Sequence, residues 1–434
     1  MTYTFSSLLS CVGLISYAAA STNESALLTR ISNLEKNLQE VKSQLQHPSE
    51  KPAEHKTTDF KYRFGGTVKV DAFYDINAKG AAFGLDAAAL PLKGIDAAAK
   101  NRRHFNAGIS ASRVFAEASK SFNTIDTQAY VELDFAKDAL SENATTTSVV
   151  PRIRHAYVKA AGFLLGQTWY TFQDMSAFTN TLDNLYGGSR QTMIRYTFDF
   201  NKYLTLAMAA ERPNTEYIQN NNTLNDNSDY GKSQVPDFAT QLKFKHTNGH
   251  IALSGVVRRL QVRVRQSVTG LTSDFTKSRT GWGIGFTGRQ NIYKNSGFIW
   301  QINGGRGTGR YIDDLNNQAA YLQYGIGIES QFSAIKVMNY IAGAEIWWTP
   351  KLSTNMGASL TRISKPKTSL SVAGFNTTQQ RYHLNTIYNI LPNSQVGLEV
   401  MYYHRRAGLQ TKRNGEDTRI LSSFIYKFDS AAKN

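Results

Sequence analysis

The sequence predicts an all-β protein, a transmembrane antiparallel β-barrel of about 16 strands with an N-terminal periplasmic coiled-coil helix. Three observations predict it: an export signal, runs in which apolar and polar side chains alternate, and connections that alternate between short and long. Each run has about ten residues, the length of a tilted membrane strand. Only every second residue of such a strand meets lipid, so a mean hydropathy of −0.38 is compatible with a membrane protein.

Residues 1–20 are predicted to be a secretory signal. An apolar run from Leu8 to Ala20 ends in three consecutive alanines, and the segment has no charged side chain. This pattern is typical of a signal peptide cut after Ala20, which predicts export to the bacterial outer membrane. The only cysteine, Cys11, lies inside it. A disulfide scaffold and a cysteine-based metal site are therefore excluded.

Residues 21–46 are predicted to form a coiled-coil helix in the periplasm, and residues 47–61 a polar, proline-containing linker. Apolar residues in the helix follow one another at alternating intervals of four and three, which is a heptad seam. We expect self-association, with trimers favoured over dimers; the alternative is a single amphipathic helix lying on the barrel. The seam consists of Leu27, Ile31, Leu34, Leu38, Val41 and Leu45.

Residues 62–434 are predicted to form the barrel. Trp282, Ile284 and Phe286 alternate with small or polar neighbours, and many other runs do the same. The strand count is even, as in bacterial barrels, so both ends of the barrel segment lie on the periplasmic side. The run from Tyr321 to Ile328 would make the count odd, and we therefore assign it to a folded loop.

The barrel segment carries the charge excess. The chain has 49 Lys and Arg against 33 Asp and Glu, a formal net charge of +16. Residues 21–62 are neutral, so the entire excess lies in residues 63–434. A basic protein could bind nucleic acid, but the export signal and the placement of the cations within alternating strands argue against that partner.

Several segments are specific enough to suggest a family. The segment PRIRHAY spans 151–157, followed by GQTW at 166–169 and TLD at 181–183, and preceded by GTVKVDAFY at 66–74 and ELDF at 132–135. Together with the N-terminal coiled coil, this set resembles the DcaP-like outer-membrane porins. The resemblance implies a homotrimeric, sixteen-stranded diffusion channel that prefers small anionic organic solutes such as dicarboxylates.

The alanine-rich stretch 81–99 departs from the family pattern, and we interpret it as the first extracellular loop.

The function of such a channel resides in a charge-lined lumen. A charge on the lipid face costs about 2–4 kcal/mol near the midplane, so strand cations that alternate with apolar residues should point inward. Guanidinium groups bind carboxylates through paired hydrogen bonds. The predicted pore-lining residues are Arg152, Arg154, Arg195, Arg259, Arg263, Lys243 and Arg381.

The connection 170–190 is the third long one. In trimeric porins this loop folds inward, so the resemblance implies that it narrows the pore. It carries Asp174, Asp183 and Arg190. We expect the two acids to face the arginine wall and to create a transverse field. The alternative is an ordinary extracellular loop.

Other functions remain open from the sequence. Long loops would suit an adhesin or receptor, and a barrel hydrolase would need His, Ser and an acid at one rim. His246 and His250 flank a turn and lack a zinc-binding helix motif, and alternation places His155 towards lipid or a subunit interface. We therefore expect no enzyme activity, metal or cofactor. The expected partners are outer-membrane lipid or lipopolysaccharide and small anionic solutes.

Overall fold

A computed structural model describes most of the barrel segment. The described residues are 60–77, 90–94, 103–122, 124–137, 150–183, 188–219, 230–231, 233–268, 271–312, 318–325, 328–366, 375–408 and 411–431, with single positions at 87, 96 and 315 and six more between 32 and 39. Those six are helical. The predicted signal peptide, all six seam residues and residues 47–59 of the linker lie outside the described residues. No described helix combines the length and the apolar character needed to cross a membrane.

Contacts divide the chain into residues 1–59 and 60–434. The second unit is built from strands. They are β1 (Lys61–Asp75), β2 (His104–Gly108), β3 (Arg113–Phe122), β4 (Ile125–Lys137), β5 (Val150–Ala160), β6 (Phe163–Trp169), β7 (Arg190–Asp199), β8 (Leu204–Glu211), β9 (Tyr217–Gln219), β10 (Tyr230–Gly231), β11 (Asp237–His246), β12 (Gly249–Val268), β13 (Leu271–Tyr293), β14 (Ser296–Arg306), β15 (Ala320–Gly325), β16 (Ile328–Ala334), β17 (Lys336–Trp347), β18 (Leu352–Ile363), β19 (Asn376–Leu391), β20 (Ser394–Ala407) and β21 (Arg413–Asp429).

The strands form a closed antiparallel barrel. Each wall strand pairs with its sequence neighbour in the wall, and β1 pairs with both β3 and β21. The short strand β2 pairs with the part of β1 that lies beyond β3, and β10 pairs with the part of β12 that lies beyond β11. Each therefore continues a wall strand, β2 in line with β3 and β10 in line with β11. β9, β15 and β16 form a separate sheet. The wall therefore has the predicted sixteen strands. Tyr321–Ile328 adds none to the wall, as predicted, although most of this run forms β15 of the separate sheet.

The connections alternate as predicted. Short turns at one end join β3 to β4, β5 to β6, β7 to β8, β11 to β12, β13 to β14, β17 to β18 and β19 to β20. The opposite end carries the long connections. One of them differs from prediction: residues 266–278 were expected to be a loop, but β12 and β13 continue as a hairpin to Val268 and Leu271.

The two faces of the wall have opposite polarity. Exposed apolar side chains such as Ile284, Ile302 and Leu398 form the outer face, whereas polar residues such as Gln301 and Asn355 are buried on the inner face. The outer face suits contact with lipid. On the inner face, water or folded loops provide hydrogen-bond partners for the polar side chains. The predicted alternation of apolar and polar positions is therefore confirmed.

Long connections fold into one side of the barrel. Tyr170 and Phe172, which follow β6, pack with Tyr311 in a buried core. Leu260 and Val262 of β12 pack against the sheet of β15 and β16. The inner faces of β3 to β5 are different, because charged side chains there remain partly exposed. The candidate site lies on the inner faces of β3 to β5.

Candidate functional site

A β-bulge shapes the inner face of β5. Glu132 of β4 pairs with His155, but Leu133 pairs with Ile153, so Arg154 is the extra residue. Arg154 and His155 therefore both point inward. The expectation that His155 faces lipid or a subunit is wrong: its side chain is buried, and its Nδ1 lies 3.0 Å from the Thr168 hydroxyl. Strict alternation cannot reveal the inserted residue.

Four arginines meet above this bulge, and we call Arg113, Arg152, Arg154 and Arg190 the arginine cluster. Arg152 donates two hydrogen bonds to Asp134, of 2.8 and 2.7 Å. Arg154 donates to the same carboxylate at 2.8 Å, and its Nε lies 2.7 Å from Glu132. Arg113 lies 3.6 Å from Glu132. The side chains of Arg113 and Arg152 are 42% and 37% exposed, so their charge reaches the open lumen.

Arg190 completes the cluster differently. Its guanidinium carbon lies 4.4 Å from the centre of the Trp169 ring, which also has Arg154 at 5.9 Å. Such stacking is a favourable cation–π contact. Arg190 makes no ion pair with a described residue, and its buried Nη1 has no hydrogen-bond partner there. It therefore lacks an ion-pair partner among the described residues, and Asp134 and Glu132 act on its charge only beyond ion-pair distance.

An aromatic ladder lies next to the cluster on the inner wall. Phe115 stacks on Tyr130 with ring centres 5.6 Å apart, and Tyr130 stacks on Tyr157 at 5.4 Å. Beyond it, towards the short turns, come Lys159 and Arg195. Arg195 lies opposite the exposed Ile194, as predicted by alternation, and has no ion-pair partner among the described residues.

The connection 170–183 crosses to the opposite wall and follows it. Its backbone is held by polar side chains of successive strands, from β8 round to β20. The anchors are Thr171 N–H to Glu211 at 2.7 Å, Ala177 carbonyl to Gln301 at 2.8 Å, Asn180 N–H to Glu345 at 2.8 Å, and Leu182 N–H to Glu399 at 2.6 Å. The segment thus lies inside the barrel, with Ser176 and Asn180 exposed.

The two acids of this connection do not face the arginine cluster, contrary to expectation. Asp174 is buried and accepts hydrogen bonds from Lys243 at 2.8 Å, His250 at 2.7 Å and Thr287 at 2.9 Å. Burial would raise the pKa of Asp174, but the contacts with His250 and Lys243 hold that pKa below its ordinary value. The acid therefore anchors the loop to β11, β12 and β13 and pairs with the charge of Lys243.

Asp183 is also directed at the wall, where Arg419 donates to it at 3.2 Å. Arg419 binds Asp75 as well, at 2.7 and 2.9 Å. The transverse field expected from loop acids and wall arginines thus lacks its acidic half.

The other predicted pore-lining residues have different positions. Lys243 is on the inner face but is paired with Asp174, and Arg381 is on the inner face, buried, 5.9 Å from the Tyr403 ring. Arg259 is exposed on the outer face, with Val257. Arg263 follows Arg259 with the same side-chain parity. Arg259 and Arg263 were predicted to line the pore because Leu260, Val262 and Val264 were taken as lipid-facing. The structure reverses the two faces of this strand segment.

The prediction missed Arg113 of the arginine cluster, and it also missed Arg258. The side chain of Arg258 is buried on the inner face, 3.1 Å from Glu216 and 3.2 Å from Asp237. Arg310 also binds Asp237, at 3.0 Å. The sequence did hold a signal: Ile251, Leu253 and Val257 fix the outer face of β12, and that parity assigns Arg258 to the inside.

Ser176, His250 and Asp174 contain the residue types of a hydrolase triad. His250 Nε2, however, faces both Ser176, at 3.3 Å, and Asp174, at 2.7 Å. A relay needs the acid on one ring nitrogen and the nucleophile on the other, so this trio serves as an anchor. Among the described residues, no group of three His, Cys, Asp or Glu side chains could hold a metal ion.

Comparison with known proteins agrees with the barrel fold. The family model for the DcaP outer membrane protein matches residues 22–428. The outer membrane channel DcaP of Acinetobacter baumannii has a similar fold, with a TM-score of 0.68 and 17% identity over 86% of this chain and 98% of that chain. A loop L8 deletion mutant of OmpT from Vibrio cholerae matches with a TM-score of 0.50 and 13% identity over 85% of this chain and 99% of that one. No curated protein sequence matches.

Proposed function

Because the chain belongs to the DcaP outer membrane protein family, we propose that it is a diffusion channel that passes small hydrophilic solutes across the bacterial outer membrane. We propose further that it favours anionic organic acids such as dicarboxylates. The closed sixteen-stranded barrel supports the first proposal, and the charges on the inner faces of β3 to β7 support the second.

The cations without an ion-pair partner on this side of the wall are the observation that carries the anion preference. Five acids share the inward parity of these strands: Glu117, Asp126, Glu132, Asp134 and Asp199. Six cations accompany them, Arg113, Arg152, Arg154, Lys159, Arg190 and Arg195. Lys159, Arg190 and Arg195 form no ion pair with any residue that the structure describes. A wall with uncompensated cations has a positive potential, which raises the local concentration of anions.

The layout also suits a path for an organic acid. The arginine cluster lies at the end with the long connections, and Lys159 and Arg195 lie towards the short turns, with the aromatic ladder between them. A carboxylate can bind at either cationic end while the carbon skeleton of the solute contacts the rings. Because Asp134 and Glu132 already bind Arg152 and Arg154, the cluster would hold an anion weakly enough to release it.

The first test measures ion selectivity. In a planar bilayer with a KCl gradient across it, the reversal potential should show chloride permeating faster than potassium. Raising the salt concentration should weaken this preference, because charges are screened over about 10 Å at 0.1 M and over about 3 Å at 1 M. A reversal potential of the opposite sign would refute the anion preference.

We also propose that the chain assembles as a homotrimer, through the seam of Leu27, Ile31, Leu34, Leu38, Val41 and Leu45 and through the barrel walls. Light scattering in mild detergent should give the mass of three chains. Deleting residues 21–59 should leave a folded barrel, because β1 begins only at Lys61. A full-length protein that elutes as a monomer would contradict the proposal.

A further inference from the structure

A groove of about 480 Å³ lies in the outer face of the barrel, away from the lumen. Its sides are Trp282 and Ile284 of β13, Ile302 of β14 and Met338 of β17. Gly304 lies between Ile284 and Met338 in the strand register, and the Met338 side chain covers it, since a Cβ there would clash with the Met338 sulfur. The lining is therefore apolar and suited to hydrocarbon.

Two cations border this groove where β14 ends and β17 begins, at the end of the barrel with the long connections. Arg306 and Lys336 are direct cross-strand partners, and both are exposed. Like charges directly opposite each other in a sheet are destabilising. Neither side chain forms an ion pair with any residue that the structure describes, so nothing in the described wall offsets the repulsion.

Neighbouring strands strengthen this feature. Arg362 of β18 is exposed and pairs in register with Met338, so a third cation lies beside the groove. At the same end of β21, by contrast, the exposed cation Lys93 is neutralised by an ion pair with Glu416. Three exposed cations without an ion pair to any described residue thus lie beside the apolar groove.

We infer that this groove is a binding site for a phosphorylated glycolipid of the lipid A type in the outer leaflet. Arg306 and Lys336 bind its phosphate groups, and an acyl chain lies along Trp282, Ile284 and Ile302. The site matches the ligand in both parts, because guanidinium and ammonium groups bind phosphate and the apolar groove buries hydrocarbon. The inference needs only the outer-membrane location and is independent of the solute preference.

The test is a titration of the full-length protein in mild detergent with bis-phosphorylated lipid A, read by native mass spectrometry. The parent should bind saturably, and more tightly than it binds phosphatidylglycerol. The double variant Arg306→Gln/Lys336→Gln should bind at least tenfold more weakly. A matched double variant, Arg259→Gln/Lys351→Gln, removes the same charge outside the groove and should stay within twofold of the parent.

A second variant separates a loss of binding from a loss of folding. Ile284→Trp fills the groove, keeps both cations and places another apolar side chain in lipid, so it should fold and still bind lipid A more weakly. Parental affinity in both this variant and the double variant would overturn the inference. Equal affinity of the parent for phosphatidylglycerol would overturn it as well.

A second copy of the chain is the competing occupant. Disulfide cross-linking of an Ile302→Cys variant between protomers would assign the groove to a subunit interface and overturn the lipid site. We expect no such cross-link. The reversal potential of the Arg306→Gln/Lys336→Gln variant should equal that of the parent, so failure here is distinguishable from failure of the proposed channel function.

Discussion

Replacing Arg419 by alanine should lower the free energy of unfolding by about 3–5 kcal/mol. Arg419 is 1% exposed and binds Asp75, its register partner across the pair of β1 and β21 that closes the barrel. It also binds Asp183 and lies 4.0 Å from the centre of the Phe73 ring. Truncation therefore removes the cation shared by two buried acids.

The loss should be measured by urea unfolding in detergent, followed by tryptophan fluorescence. Lys93→Ala is the matched control, because it also breaks an ion pair, with Glu416, but both of its partners are partly exposed. Exposed pairs contribute about 0–1 kcal/mol, so the control should unfold close to the parent. Equal midpoints for the two variants would contradict the assigned role of Arg419.

Asp183→Asn distinguishes the two contacts of Arg419. This variant retains the bond to Asp75 at the closing strand pair and weakens only the contact with the inward connection. We expect a smaller loss of stability than in Arg419→Ala, together with a broader distribution of single-channel conductances. If Asp183→Asn were as destabilising as Arg419→Ala, the inward connection rather than barrel closure would carry the stability.

The wall of the barrel could be predicted from the sequence because lipid imposes one simple rule on every strand. Ile420 and Phe424 identify the outer face of β21, and the inner position of Arg419 follows from the same parity. The requirement for an even number of strands correctly excluded Tyr321–Ile328 from the wall, since a seventeenth wall strand would have placed the chain ends on opposite sides.

The candidate site was less predictable because its features break that rule. The bulge at Arg154 adds a residue that no periodicity marks, and it turns His155 inward. Leu260 and Val262 are apolar because a folded loop covers them, not lipid, which reversed the expected orientation of Arg259. The role of Asp174 depends on His250 and Lys243, which are distant in sequence and come together only in the folded barrel.

Arg190→Ala should weaken block of the ion current by a dicarboxylate about tenfold or more. A hydrogen bond to a charged group contributes about 1.5–3 kcal/mol, and each 1.4 kcal/mol is a factor of ten in affinity. Arg190 is the clearest arginine for this test, because it has no acidic partner among the described residues. Its truncation therefore leaves no uncompensated carboxylate behind.

Arg154→Ala should behave differently. It removes a counter-ion from Asp134, which is buried, and from Glu132. The variant should lose anion preference and also some stability, whereas Arg190→Ala should lose mainly dicarboxylate block. This separates the role of a cation that offsets wall acids from that of a cation available to solute.

Arg259→Ala is the control for both variants, because it removes the same charge from the outer face. Block should be recorded in symmetric KCl at low ionic strength, where screening is weakest, with succinate as the probe. Reversal potentials should be measured separately in a salt gradient. If Arg190→Ala retained parental block while Arg259→Ala lost it, the assignment of the two faces of the wall would be inverted. If both retained parental block, the arginine cluster would not be the site at which the channel selects its solute.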